Sequence, residues 1–358
     1  MSRGDYDNGG ARVLQGLGPA LAASPDILLH RLDPVHEAAH LVRFSQQGYA
    51  DAAFLDDSVV GPQTPGLWAR IDEIGPLVSH LPECCDFIFH IGHVGSTLLS
   101  RLLGAFPGVL SLREPTPLPL LAQLHGHLDR PESLWSPERF ETVLTLCLKL
   151  WSRAYRPGQT PLVKATSWAS ELALALLSRP SRPRALMMTV APEAYLAGVL
   201  VSPPATGDVR VSATVALTRL HRRLGAEPWV LHRMSLGERA AMVWTCEMLS
   251  LAVAADAHPA QIRWIDFDQF LAAPEAGLTA ALEHLGQSGD PVAVRAAIQG
   301  PLMARYSKGD HPFDAAKRRA LLDSSRQSNR EEIDKGLAWL DDAARRFPAI
   351  GALARAGD

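Results

Sequence analysis

The stretch FIFHIGHVGSTLLSRLL (87–103) decides the fold. With Asp86, its first part, DFIFHI (86–91), is short, apolar and rich in aromatic and β-branched residues, as a buried strand is. A turn follows at Gly92-His93-Val94-Gly95-Ser96-Thr97, and Thr97–Ala105 then has the apolar spacing of a helix. Glycines let a backbone fold tightly, so that successive N–H groups point inward. The helix N-terminus adds partial positive charge, and the hydroxyls of Ser96 and Thr97 add donors. The stretch therefore reads as a strand, a phosphate- or sulfate-binding loop and a helix. It is too short for a Walker A box, which needs four residues between its glycine and a Gly-Lys pair.

Downstream of this unit, short apolar strands alternate with helical patterns. Strands are expected at VLSL (109–112), PLVK (161–164), RALMMTV (184–190) and IRWID (262–266), with helices at 117–127, 137–155, 168–178, 192–201 and 274–285. That alternation predicts a three-layer α/β/α fold around a central parallel sheet of about five strands. Residues 202–258 read as a helical insert and 291–358 as a helical C-terminus. Upstream, 1–12 is expected to be disordered, and 13–83 to form an N-terminal arm on a single domain spanning 13–358. Within the arm, Leu28–Phe44 is expected to contain a helix and Trp68–Leu81 is amphipathic.

Composition narrows the function. Hydrophobic residues make up 47% of the 358, enough for a large core. The 35 basic and 38 acidic side chains leave a net charge of −3, which argues against duplex nucleic acid as a partner. Cys84, Cys85, Cys147 and Cys246 match no zinc spacing and read as reduced, buried thiols. The N-terminus lacks the apolar core of a signal peptide, and the apolar stretches read as broken short of a membrane span of about 20 residues. The expected location is the cytoplasm, with no membrane partner.

His93-Val94-Gly95-Ser96-Thr97 resembles the 5′-phosphosulfate loop of the sulfotransferase superfamily, which typically reads Lys/Arg-Ser-Gly-Ser/Thr-Thr between a strand and a helix. The continuation LLSRLLGAFPGVLSLREP (98–115) resembles the tyrosylprotein sulfotransferases and their bacterial relatives, with Pro107 and Glu114 at matching positions. LVKATSW (162–168) resembles the family's lysine-bearing strand end. RWIDFDQFLAAPEAGLTAALEHLG (263–286) resembles its late strand and helix. The resemblance implies a sulfotransferase that uses 3′-phosphoadenosine 5′-phosphosulfate (PAPS) as co-substrate, without a metal. It implies Glu114 as the base that takes the proton of a hydroxyl-type acceptor, on a small molecule or a peptide. It also implies Lys164 and His93 as electrostatic partners of the reaction. Gly92, His93, Val94, Gly95, Ser96 and Thr97 would hold the 5′-phosphate and sulfonyl oxygens, and Arg305 and Lys308 in RYSK (305–308) would clamp the nucleotide.

Two departures bear on this. His93 stands where the family carries Lys or Arg, and an unperturbed imidazole is only partly charged near neutrality. Val190 and Gly198 stand where the family carries the arginine and serine that hold the 3′-phosphate. Arg210, Arg219, Arg222 and Arg223 are candidate replacements, alongside Arg305 and Lys308. Two other readings stay open. One is a kinase-like P-loop phosphotransferase, with Asp266 and Asp268 as the magnesium candidates. The other is a non-catalytic relative that binds a nucleotide or a partner. His90 reads as a core or paired histidine, and Trp244 and Trp264 as core.

Overall fold

In the computed structural model, two sheets carry the chain. The structure describes residues 16 and 18–355, apart from 62, 202, 226–227 and 310. The expected disorder over 1–12 lies outside the described residues.

The first sheet corrects the reading of the arm. Strands β1 (Ile27–Asp33), β2 (Ala38–Arg43) and β3 (Gly66–Arg70) form an antiparallel sheet, where a helix was expected over Leu28–Phe44. The β1–β2 turn is built by Asp33, whose Oδ1 accepts the N–H groups of Val35 and His36, each at 3.0 Å. An Asp-Pro pair at the start of a turn favours this geometry. The helical spacing misleads because both strands are buried on both faces and the β1–β2 register shifts between Leu29 and Arg31. Two-residue alternation is therefore lost. Helix Ile71–Val78 follows β3, inside the amphipathic stretch.

The second sheet is the expected one. Strands β4 (Asp86–His90), β5 (Val109–Arg113), β6 (Thr160–Lys164), β7 (Ala185–Thr189) and β8 (Ile262–Asp266) are all parallel, in the order β5-β6-β4-β7-β8. From β4 the chain first moves outward over β6 to β5, and later returns past β4 to β7 and β8. Right-handed crossovers in opposite directions put helices on opposite faces of the sheet. β4 through β7 are almost wholly buried, as a sheet covered on both sides requires. The order reverses at β4, and the crevice beyond the carboxyl end of such a strand is where open α/β sheets bind ligands.

The helices Pro203–Leu224 and Leu236–Ala257 occupy the expected insert. The second is no appendage: it packs against Arg330–Arg346 and the sheet-covering helices, with Trp244 buried. It is also the one described helix long and apolar enough to cross a membrane, contrary to the sequence reading, and 72% of its most apolar window is buried. Prolines at the first turns of Pro192–Val199, Pro274–His284 and Pro291–Gln299 fit the position where a missing N–H costs nothing. One cluster of buried side chains extends from Leu21 to Leu353. Trp264 departs from its expected burial, because β8 is an edge strand and its side chain stays 40% exposed. Cys84 is exposed as well, while Cys85, Cys147 and Cys246 are buried.

Candidate anion site at the switch point

The loop after β4 forms from backbone conformations that few residues tolerate. Gly92, His93 and Gly95 have φ values of 89°, 56° and 67°, and Gly95 caps helix Ser96–Gly104 from the left-handed region. Left-handed residues in near succession turn N–H groups toward one concave side. The first helical hydrogen bond runs from the Leu99 N–H to the Gly95 carbonyl. The N–H groups of residues 93–98 donate to no other described residue. Thr97 Oγ1, buried within the same turn, also lacks a partner. A row of unpaired donors at a helix N-terminus is the arrangement in which proteins hold anions, which makes this loop the candidate site. Gly92 is the exception among the expected contacts. Its N–H is used on His90 Nδ1 at 3.0 Å, and it does not line the cavity over the loop.

Gly95 is required twice over. A Cβ there would lie 2.0 Å from the Phe267 ring, on a backbone that already favours glycine. The left-handed conformation alone costs a substituted residue about 1–2 kcal/mol. Gly95→Ala is expected to lose at least that much stability in chemical denaturation. Adding Phe267→Ala should relieve the steric share only. A Gly95→Ala protein as stable as the parent would show that the loop is not held this way.

A cavity of about 450 Å³ opens over the loop and collects most of the expected residues: His93 to Thr97, Glu114, Lys164, Arg305 and Lys308. Glu114 and Lys164 follow from adjacent strands. Glu114 lies one residue past β5, with φ 52°, and its N–H donates to the Lys164 carbonyl at 2.7 Å. The Lys164 ammonium, fully buried, donates to Glu114 Oε1. Burial pushes the Lys164 pKa down, and the Glu114 carboxylate opposes that. Lys164 and Lys308 place their ammonium groups 5.6 and 5.5 Å from the centroid of one ring, Phe54, in the segment between β2 and β3. Nothing in the sequence around Phe54 marked it for this place.

His93 faces Asp208 of helix Pro203–Leu224, with Nε2 3.6 Å from Oδ2. Burial, then Lys308, pulls its pKa below 6.5, and Asp208 only partly offsets this. Its ring therefore takes up a proton less readily than a free imidazole, and the ammonium groups of Lys164 and Lys308 also line the cavity beside the loop.

The insert reaches the cavity through Pro204, Ala205 and Asp208, but its arginines do not. Arg219 is buried among Glu171, Glu247, Ser170 and Ser250, and Arg222 and Arg223 also pair with Glu171. Arg210 is exposed and does not line the cavity either. Val190 is buried, and Gly198 lines the cavity wall without a side chain. The cation that the sequence did not single out is Arg318, on helix Ala315–Ser328. It lies one turn before Leu322, whose Cδ2 would be 3.8 Å from a Cβ at Gly198. Arg318 pairs with Asp268 and sits 5.0 Å over the Phe267 ring. The lysine–arginine cluster at 317–319 was the available signal, and it reads as an ordinary solvated helix face. Asp266 is engaged as the N-cap of Phe267–Ala272, accepting from the Gln269 N–H at 2.8 Å.

No protein-family model matches the chain, and no curated protein matches it in sequence. Among solved structures it is similar to the sulfotransferase domain from the curacin biosynthetic pathway, at 14% identity over 67% of this chain and 89% of that one, with a TM-score of 0.40. It is similar to sulfotransferase STF9 from Mycobacterium avium at 12% identity, over 92% of this chain and 97% of that one, with a TM-score of 0.39. A third is mouse sulfotransferase SULT7A1 in complex with PAP, at 12% identity over 76% and 89%, with a TM-score of 0.37. Likeness this slight carries no chemistry across, so the residues of the cavity must carry it.

Proposed function

We propose that the protein is a sulfotransferase that moves a sulfuryl group from PAPS to a hydroxyl-type acceptor. The observation that carries this reading is the row of unpaired N–H groups at 93–98, which shares one cavity with the Glu114–Lys164 pair. Those N–H groups, with the Thr97 hydroxyl, would hold the 5′-phosphate and sulfonyl oxygens. Preorganised donors of this kind stabilise charge as it develops, without reorganisation. The acceptor oxygen forms its bond to sulfur as the sulfur–phosphate oxygen bond breaks. Glu114 takes the acceptor proton, and adenosine 3′,5′-bisphosphate leaves. Lys164 supplies positive charge beside the site of transfer. Arg305, Lys308 and Arg318 line the cavity and are the cations that would approach a 3′-phosphate, Arg318 by exchanging its Asp268 partner, in place of the side chains missing at Val190 and Gly198.

The kinase-like reading is less well supported. It needs carboxylates free to hold magnesium, and the two candidates are in use: Asp266 caps a helix and Asp268 binds Arg318. The deciding experiment is calorimetric titration with adenosine 3′,5′-bisphosphate, beside ADP without and with magnesium. Micromolar or tighter binding of the bisphosphate, with ADP much weaker, is the expected result. Preference for ADP with magnesium would move the protein to phosphoryl transfer. Binding of neither would remove the nucleotide from the account.

A further inference from the structure

His90 ends β4, two residues before the first glycine of the loop, and its side chain is buried at the floor of the cavity. One ring nitrogen is engaged by the loop. Nδ1 accepts the Gly92 N–H at 3.0 Å, and a nitrogen that accepts carries no proton. The proton of the neutral ring therefore sits on Nε2, and the backbone of the loop fixes this tautomer. Nε2 has no hydrogen-bond partner although it is buried. Glu114 Oε1 is the nearest anionic atom, at 3.9 Å, and it already accepts from Lys164. Burial, then Lys164 and Lys308, holds the His90 pKa well below 6.5 against a weaker upward pull from the nearby Ala165 backbone, so the ring stays a neutral donor. A buried donor left without a partner is uncommon, and in a cavity it points to a ligand atom.

We propose that His90 Nε2–H donates to an oxygen of the group being transferred, as a side-chain donor beside the backbone N–H row of the loop. The proposal rests on the sulfuryl-transfer reading and extends it, making His90 a catalytic residue and not merely a core histidine. A neutral donor suits this place. It can hold a sulfonyl oxygen without competing as a cation with Lys164 for Glu114.

The test uses two substitutions that divide the ring's two roles. In His90→Asn the side-chain carbonyl stands near the Nδ1 position and can still accept the Gly92 N–H, but nothing reaches the Nε2 position. In His90→Gln the amide reaches that position and can donate there. Binding of PAPS and of adenosine 3′,5′-bisphosphate, which lacks the sulfonyl group, is measured for each variant beside turnover. Asn is expected to lower turnover by about 10²–10³-fold, the usual loss for one such donor. It should weaken PAPS while leaving the bisphosphate unchanged, and Gln should recover part of both losses. Equal effects on the two nucleotides, or turnover within a few-fold of the parent in Asn, would overturn the assignment and leave the sulfuryl-transfer reading intact. A parent protein that binds neither nucleotide would overturn that reading, and the assignment with it.

Discussion

Glu114→Gln is expected to lower turnover by about 10²–10⁴-fold, the range for removing a general base, while binding of adenosine 3′,5′-bisphosphate is spared. The amide oxygen can still accept from Lys164, so the buried ammonium keeps a partner and the backbone at φ 52° is undisturbed. What is lost is the ability to take a proton. Steady-state turnover read beside calorimetric binding separates the two effects. If both fall together, the carboxylate is holding the site in shape and the base must be sought elsewhere. If neither moves, Glu114 is a structural partner of Lys164 and the catalytic reading fails at its centre.

The largest effect on stability is expected at Arg219. Its guanidinium is buried and donates to Glu247 Oε1 at 2.8 Å, Glu171 Oε2 at 2.7 Å, Ser170 Oγ at 2.8 Å and Ser250 Oγ at 2.6 Å. These contacts join helix Pro203–Leu224 to helix Leu236–Ala257 and to the short helix Ser167–Leu172. Arg219→Met leaves Glu247 buried and uncompensated, which should cost about 3–5 kcal/mol in chemical denaturation. Burial raises the Glu247 pKa even in the parent, and Arg219, then the Ser170 hydroxyl, oppose that rise. Without Arg219 that rise grows, so the folded protein binds a proton at Glu247 still more readily than the unfolded chain does. Stability of the variant should therefore recover as pH falls from 8 toward 5. Adding Glu247→Leu should restore much of the loss, since an apolar pair can replace a buried ion pair. A deficit that is small and independent of pH would mean that water or the Ser170 hydroxyl already satisfies Glu247.

The parallel sheet was legible because β4 to β7 are short apolar runs with helical spacing between them, a pattern that only a doubly covered sheet produces. The loop was legible because its glycines and hydroxyls occupy fixed places between a strand and a helix. The structure brings Glu114 and Lys164 together because both stand at the carboxyl ends of neighbouring strands. What escaped has physical reasons. Leu28–Phe44 lost its alternation to burial on both faces and a register shift, although Asp33-Pro34 marked the turn. Arg219, Arg222 and Arg223 read as a basic face because the sequence does not show that Glu171 and Glu247 fold against them. Arg318 reaches the cavity, and Phe54 reaches the ammonium groups of Lys164 and Lys308, from remote elements, which no local pattern reveals. His90 was read as core, and its burial agrees. Its unpaired Nε2 becomes visible only once the Gly92 N–H is seen to occupy the other nitrogen.

The buried guanidinium of Arg113 ties the segment between β2 and β3 to β5, the strand that Glu114 follows. It donates to the carbonyls of Tyr49, Ala50 and Ala52, while the Leu55 N–H returns a bond to the Arg113 carbonyl at 2.7 Å. Local opening of the segment after β2 would strand this cation in the interior with several donors unmet, a cost that couples its release to disruption of β5 itself. The segment after β2 and the β5 edge of the parallel sheet are therefore expected to open together. The segment Tyr49–Leu55 is thus no detachable accessory: changing how it folds would disturb the position of Glu114.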